Sequence, residues 1–359
     1  MLFFEFFKNK AVFLLLALLL IGKCVLSSQA YAWKDTSYNR IYLQYIAEIG
    51  GEYSAEKTEY IEKEYREQTR IVRKSEEMEK KFTDGVISPS EYEDYLQQYS
   101  AAQAKVEVLL DLKEQSTHLE LLYTENGILG AYIFPVGFEK YINQGADWLL
   151  MIFICVLCCN TFIVEFGKTS SRGAVISLIQ STSRGRTCLY RTKLLLVGLS
   201  VTTVYWLFFI MDYANLSANW LLPDMGELLV SYSDFGNVSA AFTFGGYFAL
   251  TALSGYFGAL LISLICVSVS QLLKEAVFIY AICATVFIVP HFAGRVGVNV
   301  CDYFNLTNLI NTNALFLMSN RLQWMGVFGW FTVFFISCML LTGTLVSISA
   351  KQIQKGLRS

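Results

Sequence analysis

The sequence is poor in charge: Asp, Glu, Lys and Arg make up only 16% of it, against roughly 25% in soluble globular proteins. It is poor in histidine too, with His118 and His291 alone. Neither has a Cys, Asp or Glu partner at a motif spacing, so no zinc motif is present. Nucleophile elbows and dinucleotide loops are also missing. Gly167-Lys168-Thr169 copies the end of a phosphate-binding loop, but Phe162 stands where that loop requires its first glycine. Leu253-Ser254-Gly255 is a similar fragment of an ATPase signature, and it falls inside an apolar run. These absences argue against catalysis, a cofactor or a nucleotide site within the chain. Nucleic-acid binding is not expected either, because the formal charge is −2 and the basic residues sit where membrane topology explains them.

Cysteine is scarce where it would matter for secretion. Of nine, none lies in 34–147, so no disulfide framework is indicated. Cys155 and Cys158 have metal or redox spacing, yet they sit mid-run with no second pair, and small apolar packing residues is the favoured reading. No metal is expected.

What the chain has instead is hydrophobic length. A helix crossing about 30 Å of hydrocarbon needs roughly 20 apolar residues. Stretches near 11–32, 147–166, 194–212, 243–270, 275–291 and 325–348 qualify. The predicted fold is an all-α integral membrane protein of six transmembrane helices. Its fourth and fifth spans meet in a tight turn at Gln271–Glu275.

Charge orients it, because Lys and Arg stay in cytoplasmic loops. Lys168, Arg172, Arg184, Arg186, Arg191 and Lys193 follow the second span, with Glu165 the one acid among them. Loop 212–242 carries Asp212, Asp224, Glu227 and Asp234 and no cation. The tail has Lys351, Lys355 and Arg358; the head has Lys8 and Lys10 against Glu5. Both termini therefore fall inside, in the plasma (inner) membrane. Segment 34–147, with 22 acids and 13 bases, falls outside. Three regions follow: 1–33, a cytoplasmic head and first span; 34–146, an extracytoplasmic helical hairpin; and 147–359, the remaining spans with a cytoplasmic loop at 165–193.

In the outer segment, Tyr53 to Phe82 lacks Pro and Gly and reads as one helix. Ser88-Pro89 with Glu91 is a capping box with proline at the first helical position, opening a second helix to about Leu122. Asp84-Gly85 and Glu91 imitate half a calcium loop, but Lys80 and Phe82 occupy the first and third ligand positions and cannot ligate, so the stretch is a turn. Residues 126–144, with Gly127, Gly130, Pro135 and Gly137, read as a bent membrane-surface connection.

Lys23 is the one charge well inside a span, and intramembrane charges are functional candidates by default. It is read as lining a translocation path or pairing with a partner subunit, with snorkelling of its long stem as the competing account. The head also fits a signal peptide, with Ala30-Tyr31-Ala32 as the cleavage site, although an uncleaved first span is favoured. Gly245, Gly246, Gly255, Gly258 and Ala259 permit close helix packing within the subunit or across a dimer.

The basic loop is the most informative stretch. Ala174 to Ile179 reads as a short amphipathic surface helix, with Arg184, Arg186, Arg191 and Lys193 expected to hold the next helix start against anionic lipid. Glu165, Gly167, Thr169, the pair Leu178-Ile179, Ser181-Thr182, Arg184 and then Lys193 occupy the places of a Glu, a Gly-Thr pair, a Leu-Leu pair, a Ser/Thr-Pro-x-x-Arg segment and a Lys entering the third span. In this the chain resembles ABC transporter permeases of the second exporter type. It departs by inserting Lys168 between Gly167 and Thr169, and by Thr182 or Ser183 in place of proline.

The resemblance implies a coupling helix that docks on a separate cytoplasmic ATP-binding subunit, with Glu165, Gly167, Lys168, Thr169, Val175, Ile176, Leu178, Ile179 and Arg184 at the contact. It implies a second permease copy or paralogue as partner, and export of an amphipathic or hydrophobic substrate such as a peptide, lipid or drug-like molecule. Long outer insertions occur in some of these permeases, including ones for sodium export, peptide export or antimicrobial resistance. The competing class is a membrane sensor or scaffold whose outer hairpin binds a partner. A secondary transporter ranks third, since broken charge-bearing spans or internal repeats are not evident.

Overall fold

The computed structural model describes residues 10–143, 147–163, 183–236, 242–272, 306–313 and 329–355, with single positions between 278 and 289. Over these residues the chain is all-α. Among the described residues the one β ladder is a two-residue pairing of β1 (Gly51–Glu52) with β2 (Ala131–Tyr132), antiparallel with Gly51 opposite Tyr132. Contacts divide the chain into a bundle unit (Met1–Ala32, Lys140–Asn219, Phe248–Ser359) and a hairpin unit (Trp33–Glu139, Trp220–Tyr247).

The bundle unit is built from α1 (Lys10–Ala30), α7 (Trp148–Ile163), α8 (Ser183–Asn219), most of α9 (Phe244–Leu272), a 3₁₀ turn at Leu306–Leu309 and α10 (Gly329–Lys355). Within α8 and α9, Tyr190–Asn219 and Phe244–Gln271 are long and apolar enough to cross a membrane. At 1.5 Å per residue each spans over 40 Å, more than the roughly 30 Å of hydrocarbon. Leu16–Ala30, Trp148–Cys158 and Thr332–Ser347 are shorter apolar helices. The stretch 275–291 lies mostly outside the described residues.

Leu150 and Ile154 of α7, Val201 and Phe208 of α8, and Ile262 and Cys266 of α9 form the buried centre of this unit. Cys155 lies 3.9 Å from Cys266 sulfur to sulfur, and Cys158 donates to the Ser263 carbonyl, so both thiols face α9 as packing groups. Glycine lets the backbone of 306–310 approach α9. A Cβ on Gly258 would sit 1.9 Å from the Leu309 carbonyl oxygen, and one on Gly255 would sit 2.8 Å from that of Ile310. These two expected packing glycines thus act inside the subunit.

The hairpin unit holds α2 (Ser37–Ile49), α3 (Ala55–Arg73), α4 (Ser75–Thr83), α5 (Pro89–Asn126) and the first turn of α6 (Pro135–Ile142). Each long helix begins at a side-chain cap. Ser54 accepts from the Lys57 N–H. Ser88 and Glu91 close the capping box read from the sequence, with Pro89 in the first turn. Gly127, at φ 64°, ends α5 four residues beyond the expected Leu122 and donates to the Leu122 and Tyr123 carbonyls. The helix expected over 53–82 is divided at Lys74, whose N–H is shared between the Ile71 and Val72 carbonyls in a tightened turn. α3 packs antiparallel on α5, burying Ile61 on one side and Val108, Leu109, Leu112 and Leu119 on the other.

The acidic loop after α8 is not merely a connection. α8 runs on to Asn219, and the residues after it fold onto the hairpin. The His118 ring nitrogen Nε2 meets the Val230 carbonyl at 2.7 Å, and the Ala131 N–H donates to Ser231 Oγ at 3.0 Å. Phe138 is fully buried, edge-on to Tyr232, Phe244 and Tyr247 at centroid distances of 5.4, 4.7 and 5.7 Å. Such aromatic pairs are worth about 0.5–1.5 kcal/mol each beyond area burial. Beside them Glu139 is half-buried. Burial first, then the carboxylates of Asp234 and Asp111, push its carboxyl above the usual range, against an opposing hydrogen bond from Tyr232. Tyr38 donates to Asp111, and burial together with that bond raises its phenol.

Candidate functional site: a buried lysine between two aspartates

Lys23 sits in an α1 segment that is otherwise apolar, and it is only 6% exposed. Its ammonium lies 2.6 Å from Asp147 Oδ2 and 2.5 Å from Asp212 Oδ2. The first partner is placed by a helix start: Asp147 precedes α7, and its other oxygen accepts the Leu150 N–H at 3.1 Å. One carboxylate thus caps α7 and neutralises a lysine of α1. The second partner is placed by periodicity. Phe208, Asp212 and Asn215 fall on one face of α8 at four- and three-residue steps, against Lys23 and Ser27 of α1. The Lys23 nitrogen stands 5.4 Å over the Phe208 ring, and Asn215 Nδ2 donates to Ser27 Oγ at 2.9 Å.

The cluster carries one positive and two negative charges on groups that are mostly out of solvent. An unpaired ion here would cost several kcal/mol, and strong hydrogen-bonded pairing is what makes the burial tolerable. A single ammonium therefore ties three helices: α1, α7 and α8.

Both aspartates also line a cavity of about 70 Å³ together with Tyr141, Tyr205, Thr251 and Asn313. Each of these polar groups is held in place. The Tyr141 hydroxyl meets Thr251 Oγ1 at 2.5 Å, while that Oγ1 donates to the Phe248 carbonyl. Asn313 Nδ2 donates to the Tyr141 carbonyl, and Thr312 Oγ1 donates to that of Thr251. Tyr205 donates to the Ala252 carbonyl at 2.7 Å. A water needs roughly 10–15 Å³ measured in this way. The cavity therefore has room for a few waters or one small polar group, and not for a peptide or a lipid. Chemically it offers fixed carboxylate, hydroxyl and amide oxygens, but among the described residues it has neither a grouping of three or more metal-ligating side chains nor a nucleophile–base pair.

Of the residues singled out in the sequence, Lys23 enters this cluster, but its partners come from within its own chain, at separations of 124 and 189 residues. Asp147 and Asp212 had been assigned to the outer segment and outer loop, and their role was missed. The available signal was charge balance: a lysine buried in an apolar helix needs an anion beside it, and Asp147 and Asp212 both border apolar runs.

Glu165, Gly167, Lys168, Thr169, Val175, Ile176, Leu178 and Ile179 lie outside the described residues. Arg184 lies in the first turn of α8, with its side chain outside the description. Lys193 departs from the surface-anchor role. It is 5% exposed, and its ammonium donates to the Thr161 carbonyl at 2.8 Å, near the C-terminal end of α7 where a helix favours a cation.

No protein-family model, no curated protein and no solved structure matches the chain.

Proposed function

We propose that this chain is the membrane-spanning permease subunit of an ABC exporter. Its six spans place both termini in the cytoplasm and the hairpin unit on the outer side. A separate cytoplasmic ATP-binding subunit supplies the energy, and a second permease copy or paralogue completes the path for an amphipathic or hydrophobic substrate. The observation that carries this reading is the closure from Lys193 to Thr161. It joins Thr161 to Lys193, the described positions on either side of the stretch whose residues resemble a coupling segment. Support also comes from apolar side chains left facing outward. Leu195, Leu199 and Ile210 on α8 and Ile336, Met339 and Leu340 on α10 are exposed, as lipid-facing residues would be.

The test is affinity purification from native membranes in mild detergent, with wild type beside the triple variant Glu165→Arg, Ile176→Arg, Leu178→Arg. The expected result is an ATP-binding subunit that accompanies wild type and is lost from the variant. An ATPase that stays with the variant removes the docking site from 165–193. No ATPase across several detergents removes the permease reading and leaves the sensor or scaffold class.

A further inference from the structure

The hairpin unit belongs to a strongly acidic stretch, yet one face of α3 runs against that charge. Arg66, Arg70 and Arg73 recur at steps of four and three, and Lys74 follows at the end of the helix. With Tyr65 and Thr69 these cations line a groove of about 360 Å³. Arg66 is paired with Glu62 at 2.7 Å. Arg70, Arg73 and Lys74 are exposed, and among the described residues none has a carboxylate within salt-bridge distance. Lys113 of α5 stands 5.3 Å over the Tyr65 ring.

Two details separate this face from an ordinary solvated one. The first is Thr69. A threonine inside a helix usually turns its hydroxyl back to the carbonyl four residues earlier, as Thr83, Thr117 and Thr124 do here at 2.9, 3.0 and 2.8 Å. The Thr69 hydroxyl oxygen is shielded from solvent and has no hydrogen-bond partner. The second is Lys74. Cations in the last turn of α3 suit its negative end, but Lys74 is also the N-cap of α4 and makes no side-chain cap bond. A cation at a helix N-terminus opposes the dipole. An anion in the groove would neutralise Arg70, Arg73 and Lys74 and accept from Thr69.

We propose that this groove binds an anion carrying more than one phosphoryl group. Guanidinium forks match phosphoryl oxygens bidentately, and a hydroxyl donor and an ammonium complete the set. The lining from Tyr65 to Lys74 extends along the helix by about 13 Å, at 1.5 Å per residue. That length and three unpaired cations exceed what a single phosphate uses. The phosphoryl groups can belong to a free oligophosphate or to a phospholipid headgroup.

The test uses the full-length protein. In uncharged detergent, tripolyphosphate is titrated calorimetrically, with orthophosphate as comparator. In a second arm, nanodiscs of phosphatidylcholine with and without cardiolipin, whose headgroup carries two phosphoryl groups, are examined for protection of Arg70 and Arg73 from a guanidinium-modifying reagent. Wild type is expected to bind tripolyphosphate more tightly than orthophosphate, with affinity falling as salt rises. Arg70→Gln with Arg73→Gln should weaken binding at least tenfold at an unchanged unfolding midpoint, and Thr69→Val several-fold. Arg40→Gln, which removes a cation already paired with Asp35 at 2.9 Å, should leave binding as in wild type. Protection by cardiolipin in place of tripolyphosphate binding assigns the groove to a lipid headgroup. Absence of both, or equal binding by the double variant, overturns the proposal.

Discussion

The two units treat the same chemical groups in opposite ways. In the hairpin unit, Arg66 and Glu62 form an ion pair four residues apart on an exposed helix face, with side chains 77% and 40% exposed. In the bundle unit, Lys23 meets two aspartates with 7% of its side chain exposed. The first contact is worth a few tenths of a kcal/mol, because water competes for both partners and salt screens them. The second cannot be lost cheaply, because its groups are mostly withdrawn from bulk solvent and removing one leaves the others uncompensated. Geometry at the contact is similar; the surrounding medium sets its weight. Caps and turns organise the hairpin unit, whereas depth and complementarity organise the bundle.

That comparison breaks most visibly at Lys23. Lys23→Met leaves two buried carboxylates facing each other, and the loss should be about 3–5 kcal/mol. The measurement is thermal unfolding of the purified protein in detergent, together with its yield in membranes. Lys23→Met combined with Asp212→Asn should recover part of the loss. If the single variant melts with wild type, Lys23 is not held as described and the contrast between the units collapses.

A smaller effect sharpens the packing side of the comparison. Gly258→Ala drives a Cβ into the Leu309 carbonyl, a backbone atom that cannot rotate away, and should cost about 1–3 kcal/mol. Gly343→Ala on α10 is the control, since nothing lies within 4 Å of its added carbon. Equal melting of the two variants would show that 306–310 does not rest on α9.

The smallest effect belongs to the hairpin unit. Ser88→Ala removes the capping-box acceptor and should cost about 1 kcal/mol, read from thermal unfolding followed by circular dichroism. The Glu91 carboxyl is held below its ordinary value by the Ser88 backbone N–H and then by its hydroxyl. A depressed folded value means that its contribution is present above the ordinary carboxylate range and is lost as pH falls through the folded value. The difference between wild type and Ser88→Ala should therefore shrink in acid. A difference independent of pH would show that the Ser88 hydroxyl does not act on the Glu91 carboxylate.

Local chemistry was legible in the sequence wherever a few consecutive residues decide the outcome. Ser88, Pro89 and Glu91 announced the start of α5, because a cap is satisfied within four residues. Apolar length announced the α8 and α9 segments, because hydrophobic helices need no partner to be recognised. The turn at Asp84–Gly85 was separated from a calcium loop by ligand chemistry alone. The all-α class followed from these.

Tertiary structure decided the rest. Lys23 finds Asp147 and Asp212 across 124 and 189 residues, and sequence spacing says nothing about which helix faces pack. Tyr232, Phe235, Phe244 and Tyr247 meet around Phe138, so an acidic loop becomes part of the hairpin unit. Lys193 turns inward to a carbonyl near the end of α7, where composition alone placed it at lipid. A strip of residues carries the information for a helix and its ends. The partner of a buried charge is carried by the whole fold, because only packing removes the water that would otherwise serve in its place.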